Sequence, residues 1–340
     1  MDPITHTLTG GALAGAGLRR VSPGATATLI LASNAPDVDA LAYMVDPHWA
    51  LAVRRGLTHG VLGLLLLPPL VVGIVLLWKR WRRRRRGMTA QDGGGGGGSP
   101  PAPRLVPLLG LAFLAVLIHQ LLDWTNNYGM RFWEPFSSSW SYLDALFIVD
   151  PWIWLLLGGG LLLAWRWGES WARLGGVAAL AYVLFMVASS ALARAEVRSA
   201  WEARELEPSL EVMAAPVPLN PLARSVVVET RGAYHMGSFH WLERPRVHFQ
   251  EEYVPKMKVR AGFSLSLQEA MEGAREDPRM QDFLVWSRFP HYEVGPLPEG
   301  GAEVVVGDAR FTGWREAGRL SGLRVEVGVP PPPSGGDRTP

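Results

Sequence analysis

The chain contains no cysteine. Disulfides and thiolate chemistry are therefore excluded, and any bound metal must be held by His, Asp or Glu. The opening residues Met1–Gly17 lack the basic n-region of a cleavable signal peptide and carry His6 instead. Polar residues are nearly missing from two long apolar stretches, 60–78 and 174–193. That scarcity argues against a transporter, which needs polar groups through several spans. Net charge is scarce as well, at +2. It comes largely from one block, Lys79-Arg80-Trp81 followed by Arg82 to Arg86, and the rest of the chain is slightly acidic. A basic block that abuts an apolar helix sets membrane topology, so no nucleic-acid partner is expected.

Long apolar runs are what the sequence does have. Its 340 residues are 48% hydrophobic, but the runs are concentrated before residue 195. Segments near the ~20 residues needed to cross a bilayer are Gly60–Trp78, Leu105–Leu122 and Leu174–Ala193. Trp152–Trp165 is short for a full crossing. Ile4–Leu18 and Ala25–Ala32 form a weaker, glycine-rich helical hairpin that can pack closely. Many of the 15 tryptophans lie at run ends, as in an aromatic belt. The expected fold is an all-α polytopic membrane domain over 1–195, followed by a small β-rich, α+β soluble domain over 196–330. Residues 87–104, with the glycine run inside Asp92–Ser99, read as a flexible cytoplasmic linker, and 331–340 as a disordered tail. Alternating runs at Ser225, Arg246, Glu303 and Leu323 predict strands, and Leu267–Arg275 a short helix. If Lys79–Arg86 faces the cytoplasm, the chain is a multi-pass protein of the plasma membrane with its C-terminal domain outside.

Four polar clusters interrupt the membrane half: His6; Asn34 to Asp39; Arg55 to His59; and His119 to Tyr128. On that topology all four reach the same, outer face. His119 and Asp123 stand four residues apart, so they share one helix face at the end of an apolar run. Polar groups there usually serve a metal, a proton path or a partner. Imidazole and carboxylate ligands without thiolate suit Zn, with Mn or Fe as alternatives. The candidate metal ligands are His6, Asp37, Asp39, His59, His119 and Asp123. Asp39, or water on the ion, is the candidate base. Arg55 or Asn127 is placed to steady developing charge, and Thr58 and Asn126 to hold an anionic substrate. Each cluster also has a plainer reading: a surface His6, a helix-capping Asp37/Asp39 turn, an interfacial His59, a hydrogen-bonded His119/Asp123 pair.

These motifs resemble the YdjM-like group of membrane-bound metal-dependent hydrolases of the bacterial inner membrane. The matching text is Met-Asp-Pro-Ile-Thr-His6, Pro36-Asp-Val-Asp39, Arg55-Gly-Leu-Thr-His59-Gly and His119-Gln-Leu-Leu-Asp123. The phrases Pro218-Leu-Asn-Pro221 and Asp308-Ala-Arg-Phe311 are similar to the group's C-terminal half. A fainter similarity is to zinc-dependent phospholipase C and the P1-type nucleases, whose order of Asp, His and a His-x-x-x-Asp helix recurs in Asp37 or Asp39, His59, His119 and Asp123. That similarity implies a further metal beside His6. Yet no His lies between His119 and His235, so a trinuclear cluster is not expected. The resemblance implies hydrolysis of an ester or phosphodiester, including lipid-linked ones, at the bilayer surface. The competing reading is a non-enzymatic membrane scaffold or stress-response protein with a structural metal site.

Overall fold

The computed structural model describes residues 1–85, 102–298, 300–312 and 322–328. The glycine-rich part of the linker and the proline-rich tail lie outside these residues. Several helices start at an Asp-Pro pair. Helix α1 (Pro3–Gly15), α3 (Pro47–Val53) and α6 (Pro151–Trp167) each open with Pro in the first turn. The preceding Asp2, Asp46 and Asp150 accept two backbone N–H groups apiece. The carboxylate satisfies donors the helix leaves free, and proline supplies the helical φ without needing a donor.

Among the described residues, three helices are long and apolar enough to cross a membrane: α4 (Val61–Arg85), α5 (Leu105–Trp124) and α7 (Ser170–Glu202). Their outward faces keep Leu65, Leu66, Leu70, Leu174, Leu180 and Leu184 exposed, as a lipid-facing surface requires. The shorter α6 folds back on α7, while α1 and α2 (Ala25–Ala32) pack against each other and against the longer helices. The expected N-terminal hairpin is thus present.

Glycine decides how close the α6/α7 hairpin comes. A Cβ on Gly175 would sit 2.6 Å from the Leu156 carbonyl oxygen and 2.9 Å from the Gly160 Cα. By contrast, a Cβ on Gly176 meets nothing within 4 Å. Gly175→Ala is therefore expected to lower the melting temperature in detergent, by overpacking of about 1–3 kcal/mol. Gly176→Ala should melt like the wild type, and equal melting of the two variants would refute the close contact.

The two ends of the helical region differ in charge. At one end Glu169 gathers Arg19 at 2.8 Å, Arg20 at 3.0 Å and Arg173 at 3.7 Å. Nearby on that end Lys79 reaches Gly24, and Arg82 and Arg85 lie over Trp78 and Trp81. The opposite end carries the 3-10 segment Ala35–Met44, α3, the start of α4 and the end of α5. All four polar clusters meet there.

Among the described residues, the C-terminal region holds two four-stranded sheets. The first runs β1 (Glu211–Pro216), β2 (Ala223–Glu229), β3 (Ala233–His240), β4 (Val247–Pro255), all antiparallel. In the second, β5 (Met257–Val259) pairs parallel with β6 (Pro290–Pro296), and β7 (Ala302–Asp308) and β8 (Leu323–Val327) follow antiparallel. Between β5 and β6 lie α8 (Leu267–Glu276), opened by a Ser266/Glu269 capping box, and α9 (Pro278–Trp286). The fold is thus a helical membrane region followed by a β-rich domain, as the alternating runs predict.

Buried arginines join the two parts. Arg224 on β2 donates to the carbonyls of Asp144 at 2.9 Å and Met186 at 3.1 Å. Arg288 lies 2.9 Å from the buried Asp144 carboxylate. Leu51 of α3 packs into the core of α9 and the second sheet with Phe283 and Trp286. The C-terminal domain therefore braces the loop that follows α5, and with it the end where the polar clusters meet.

Candidate metal centre

His119 and Asp123 share the inward face of α5, and both are buried. His59 reaches them from the turn before α4, and Asp37 from the 3-10 segment. His59 Nε2 lies 3.2 Å from His119 Nε2 and 3.0 Å from Asp123 Oδ2. His119 Nε2 is 3.4 Å from the same oxygen, and Asp37 Oδ1 is 3.7 Å from His59 Nε2. All four ligand atoms fall within 4.8 Å of one another. Donors around one tetrahedral zinc, each about 2.1 Å from the ion, stand roughly 3.4 Å apart.

The histidine tautomers follow from what stands behind each ring. His119 Nδ1 is 2.7 Å from the Ser33 carbonyl, which can only accept, so Nδ1 carries the proton. His59 Nδ1 is 3.1 Å from Asp39 Oδ2 and donates to that carboxylate. Both Nε2 lone pairs then point at each other and at Asp123 Oδ2, which has no hydrogen-bond partner. Three electron-rich atoms in contact, with no proton between them, repel in a buried site. A cation among them removes the repulsion, so the donor set fits a divalent metal.

Asp39 stands behind His59. It accepts from the Arg55 backbone N–H at 2.8 Å and from Thr58 Oγ1 at 3.1 Å. Burial works against its ionised form, but the hydrogen bond from His59 and the Arg54 guanidinium hold its pKa below the ordinary carboxylate range. Asp37 behaves likewise: burial opposes its ionised form, and neighbouring positive charge pulls its pKa well down. The sequence reading left open which of Asp37 and Asp39 faces an ion; the geometry puts Asp37 in the ligand group and Asp39 against His59.

Arg55 is buried at positive φ, bent inward by the turn. Its Nη1 donates to the Asp123 carbonyl and to Asn126 Oδ1, both at 3.1 Å, and its Nη2 lies 3.4 Å from Asp123 Oδ1. Burial lowers its pKa to about 10. Asn126, rather than Asn127, therefore joins this network. Asn127 instead offers its carbonyl to Arg310 at 3.2 Å. Arg54 is absent from the sequence reading, yet its Nη2 lies 3.2 Å from Asp37 and its Nε 3.4 Å from Asp39. The tandem arginine that opens the Arg55-Gly-Leu-Thr-His59 motif was the available signal. His6 on α1 is buried, stacks on His119 with ring centroids 3.8 Å apart, and lies 3.3 Å from Asp123 Oδ1. The Met1 amino group lies against that same oxygen.

A family model described as YdjM inner membrane protein matches residues 1–193. That span includes every residue of the cluster and ends inside α7. No curated protein and no solved structure matches the chain.

Proposed function

This chain belongs to the YdjM inner membrane protein family, and from the chemistry of its buried cluster we propose that it is a membrane-bound metal-dependent hydrolase of phosphodiesters or esters, with lipid-linked substrates favoured. The observation that carries the reading is the meeting of His59 Nε2, His119 Nε2 and Asp123 Oδ2, with Asp37 at 3.7 Å on the more exposed side. Three tight protein ligands and one looser side resemble an open catalytic site more than a closed structural one. An ion held there, with zinc the first choice, would supply Lewis acidity and an acidified water.

The protein's own groups have distinct tasks in this reading. Asp39 orients His59 and keeps its Nε2 free of protons, so it positions and does not act as the base. Arg55 fixes Asp123 through both its carbonyl and its carboxylate. Arg54, at the rim, is the guanidinium an anionic phosphoryl group would reach first. The lipid preference rests on the ridge beside Asp37 and Asp39. There Val38, Leu41, Met44 and Val45 are exposed, Met44 at 83% and Val45 at 79%. A contiguous exposed apolar patch marks an interaction surface, and in a membrane protein the adjoining surface is the leaflet.

The test is hydrolysis by the purified full chain in nanodiscs. A lipid phosphodiester should be cleaved at least ~10-fold faster than a soluble aryl phosphodiester; EDTA should stop both, and zinc or manganese should restore them. A fully ion-loaded protein that cleaves neither would leave the structural-site scaffold as the reading.

The cluster end, and the β-rich domain with it, is assigned to the extracytoplasmic side because the arginine-rich end lies opposite. Since the chain has no native cysteine, Leu242→Cys on the exposed β3–β4 turn gives a single reporter thiol. An impermeant maleimide should label it in intact spheroplasts. Labelling only after lysis would reverse the orientation.

A further inference from the structure

We propose that the helical region binds one anionic phospholipid at its arginine-rich end, with an acyl chain laid in a groove between α5 and α7. Ala12 and Leu13 of α1, Ile118 and Leu121 of α5, Leu157 of α6 and Leu180 of α7 line this groove. Its volume is about 770 Å³, within the ~300–1,000 Å³ of ligand-sized cavities. Along α7 it runs from Ala172 to Val187, about 22 Å at the helical rise. That is most of a ~30 Å hydrocarbon core. Leu121 and Leu180 are exposed, so the groove opens sideways to the bilayer. Water gains no partners in an apolar cleft, and the hydrocarbon at hand there is an acyl chain.

The charge at one end of the groove is the independent observation. Arg173 lines the groove, and it belongs to the set that Glu169 gathers with Arg19 and Arg20. Three guanidiniums share one carboxylate there, which leaves an excess of positive charge. Arg19, Arg20 and Arg173 are 52%, 72% and 61% exposed, whereas Glu169 is 14% exposed. Their remaining N–H groups are therefore open to a ligand, and the carboxylate is covered. Trp165 and Trp167 are exposed at the adjoining end of α6 and mark the depth of the headgroups. A basic pocket between spans at that depth selects anionic headgroups, and a guanidinium matches a phosphate with paired N–H groups. A second copy of the chain fits less well. About a two-fold axis along the membrane normal it would bring its own arginines to the same end, where like charges repel. The site lies opposite the histidine cluster and stands whether or not that cluster holds a metal.

Native mass spectrometry of the full chain tests this, after delipidation in detergent and titration with phosphatidylglycerol or phosphatidylcholine of the same chains. The wild type should hold one phosphatidylglycerol at least ~10-fold more tightly than phosphatidylcholine. Arg19→Gln combined with Arg20→Gln should reduce that preference at least ~5-fold, and Glu169→Gln should increase it. Gly176 lines the groove, and a Cβ on it meets nothing within 4 Å. Gly176→Leu should therefore melt like the wild type in lipid-free detergent, yet weaken the binding of both lipids. Equal affinity of the wild type for the two lipids overturns the proposal, as does unchanged binding by Gly176→Leu. Full displacement of the lipid by inorganic phosphate would leave an anion site without a chain and overturns it too. A dimer that Gly176→Leu splits would give the groove to a second copy, with the same consequence.

Discussion

Replacing His119 or Asp123 with alanine is expected to leave the purified protein nearly free of divalent metal, below about a tenth of the wild-type content. Asp123 is the centre of the arrangement: His59, His119, His6 and Arg55 all lie within 3.4 Å of its carboxylate. Removing it takes away the one anion that both histidines of the core face. His119→Ala deletes one ligand but leaves Asp123 pointing at His59, so a weak residual affinity should survive there and not in Asp123→Ala. Asp39→Asn belongs to the same series. It leaves the inward ligands intact and weakens only the hold on His59, for which ~10–100-fold lower affinity is the usual cost of losing an outer-shell partner. Elemental analysis after dialysis against a competing chelator measures all three. Full metal in both alanine variants would end the metal-site reading.

The second large effect concerns stability and lies outside the cluster. Asp308 is fully buried at the end of β7. It accepts from Arg310 Nε and Nη2 at 2.9 Å each, from Ser287 Oγ at 2.9 Å and from the Arg288 backbone N–H at 2.8 Å. Its guanidinium partner, Arg310, also holds the Asn127 carbonyl. Asp308→Ala leaves that arginine buried without its anion, which should cost about 3–5 kcal/mol. Unfolding monitored by near-ultraviolet circular dichroism would show it, and a shift under ~1 kcal/mol would contradict the burial of the pair.

The same pair sets an acid limit. Burial alone would raise the Asp308 pKa, but Arg310 and the accepted hydrogen bonds bring it from 3.8 down to about 2. Because the folded value is the lower one, the stabilisation is complete above pH ~4 and is lost as pH falls toward ~2. In that window the wild type should lose on the order of 2 kcal/mol that Asp308→Ala has already lost, so the gap between the two stabilities narrows.

The site's legibility varied residue by residue. His119 and Asp123 could be paired from sequence because helical periodicity alone puts positions four apart on one face. His59 and Asp37 could be joined to that pair only through the topology, which puts their clusters on the same face, since 3-10 and turn geometry carries no period that fixes contacts across a fold. Asp39 illustrates the limit. Its spacing from Asp37 suggests a shared ion, yet the chain path puts Asp39 behind the His59 ring. Asn126 and Asn127 are adjacent and chemically identical, and only the loop's path sends Asn126 to Arg55. In the C-terminal half, strands with alternating valines were readable. β1, β3 and α9 were not marked by such runs, and their places come from pairing with those strands and packing on α3.

Composition and periodicity determined, without coordinates, that this is a cysteine-free helical membrane protein with a β-rich C-terminal region and with imidazole and carboxylate side chains set into its apolar half. Those properties are local or additive: hydrophobic length, charge beside a span, residues on one helix face. Which carboxylate meets which imidazole, which arginine is spent on bracing Asp123, and how the oxygens of Asp123 divide between His6 and the other histidines were decided by tertiary structure alone. Distances of 3–4 Å between residues 30 to 120 positions apart depend on helix packing, such as the bare-backbone contacts of α1 with α2 and of α6 with α7, and no local pattern encodes them.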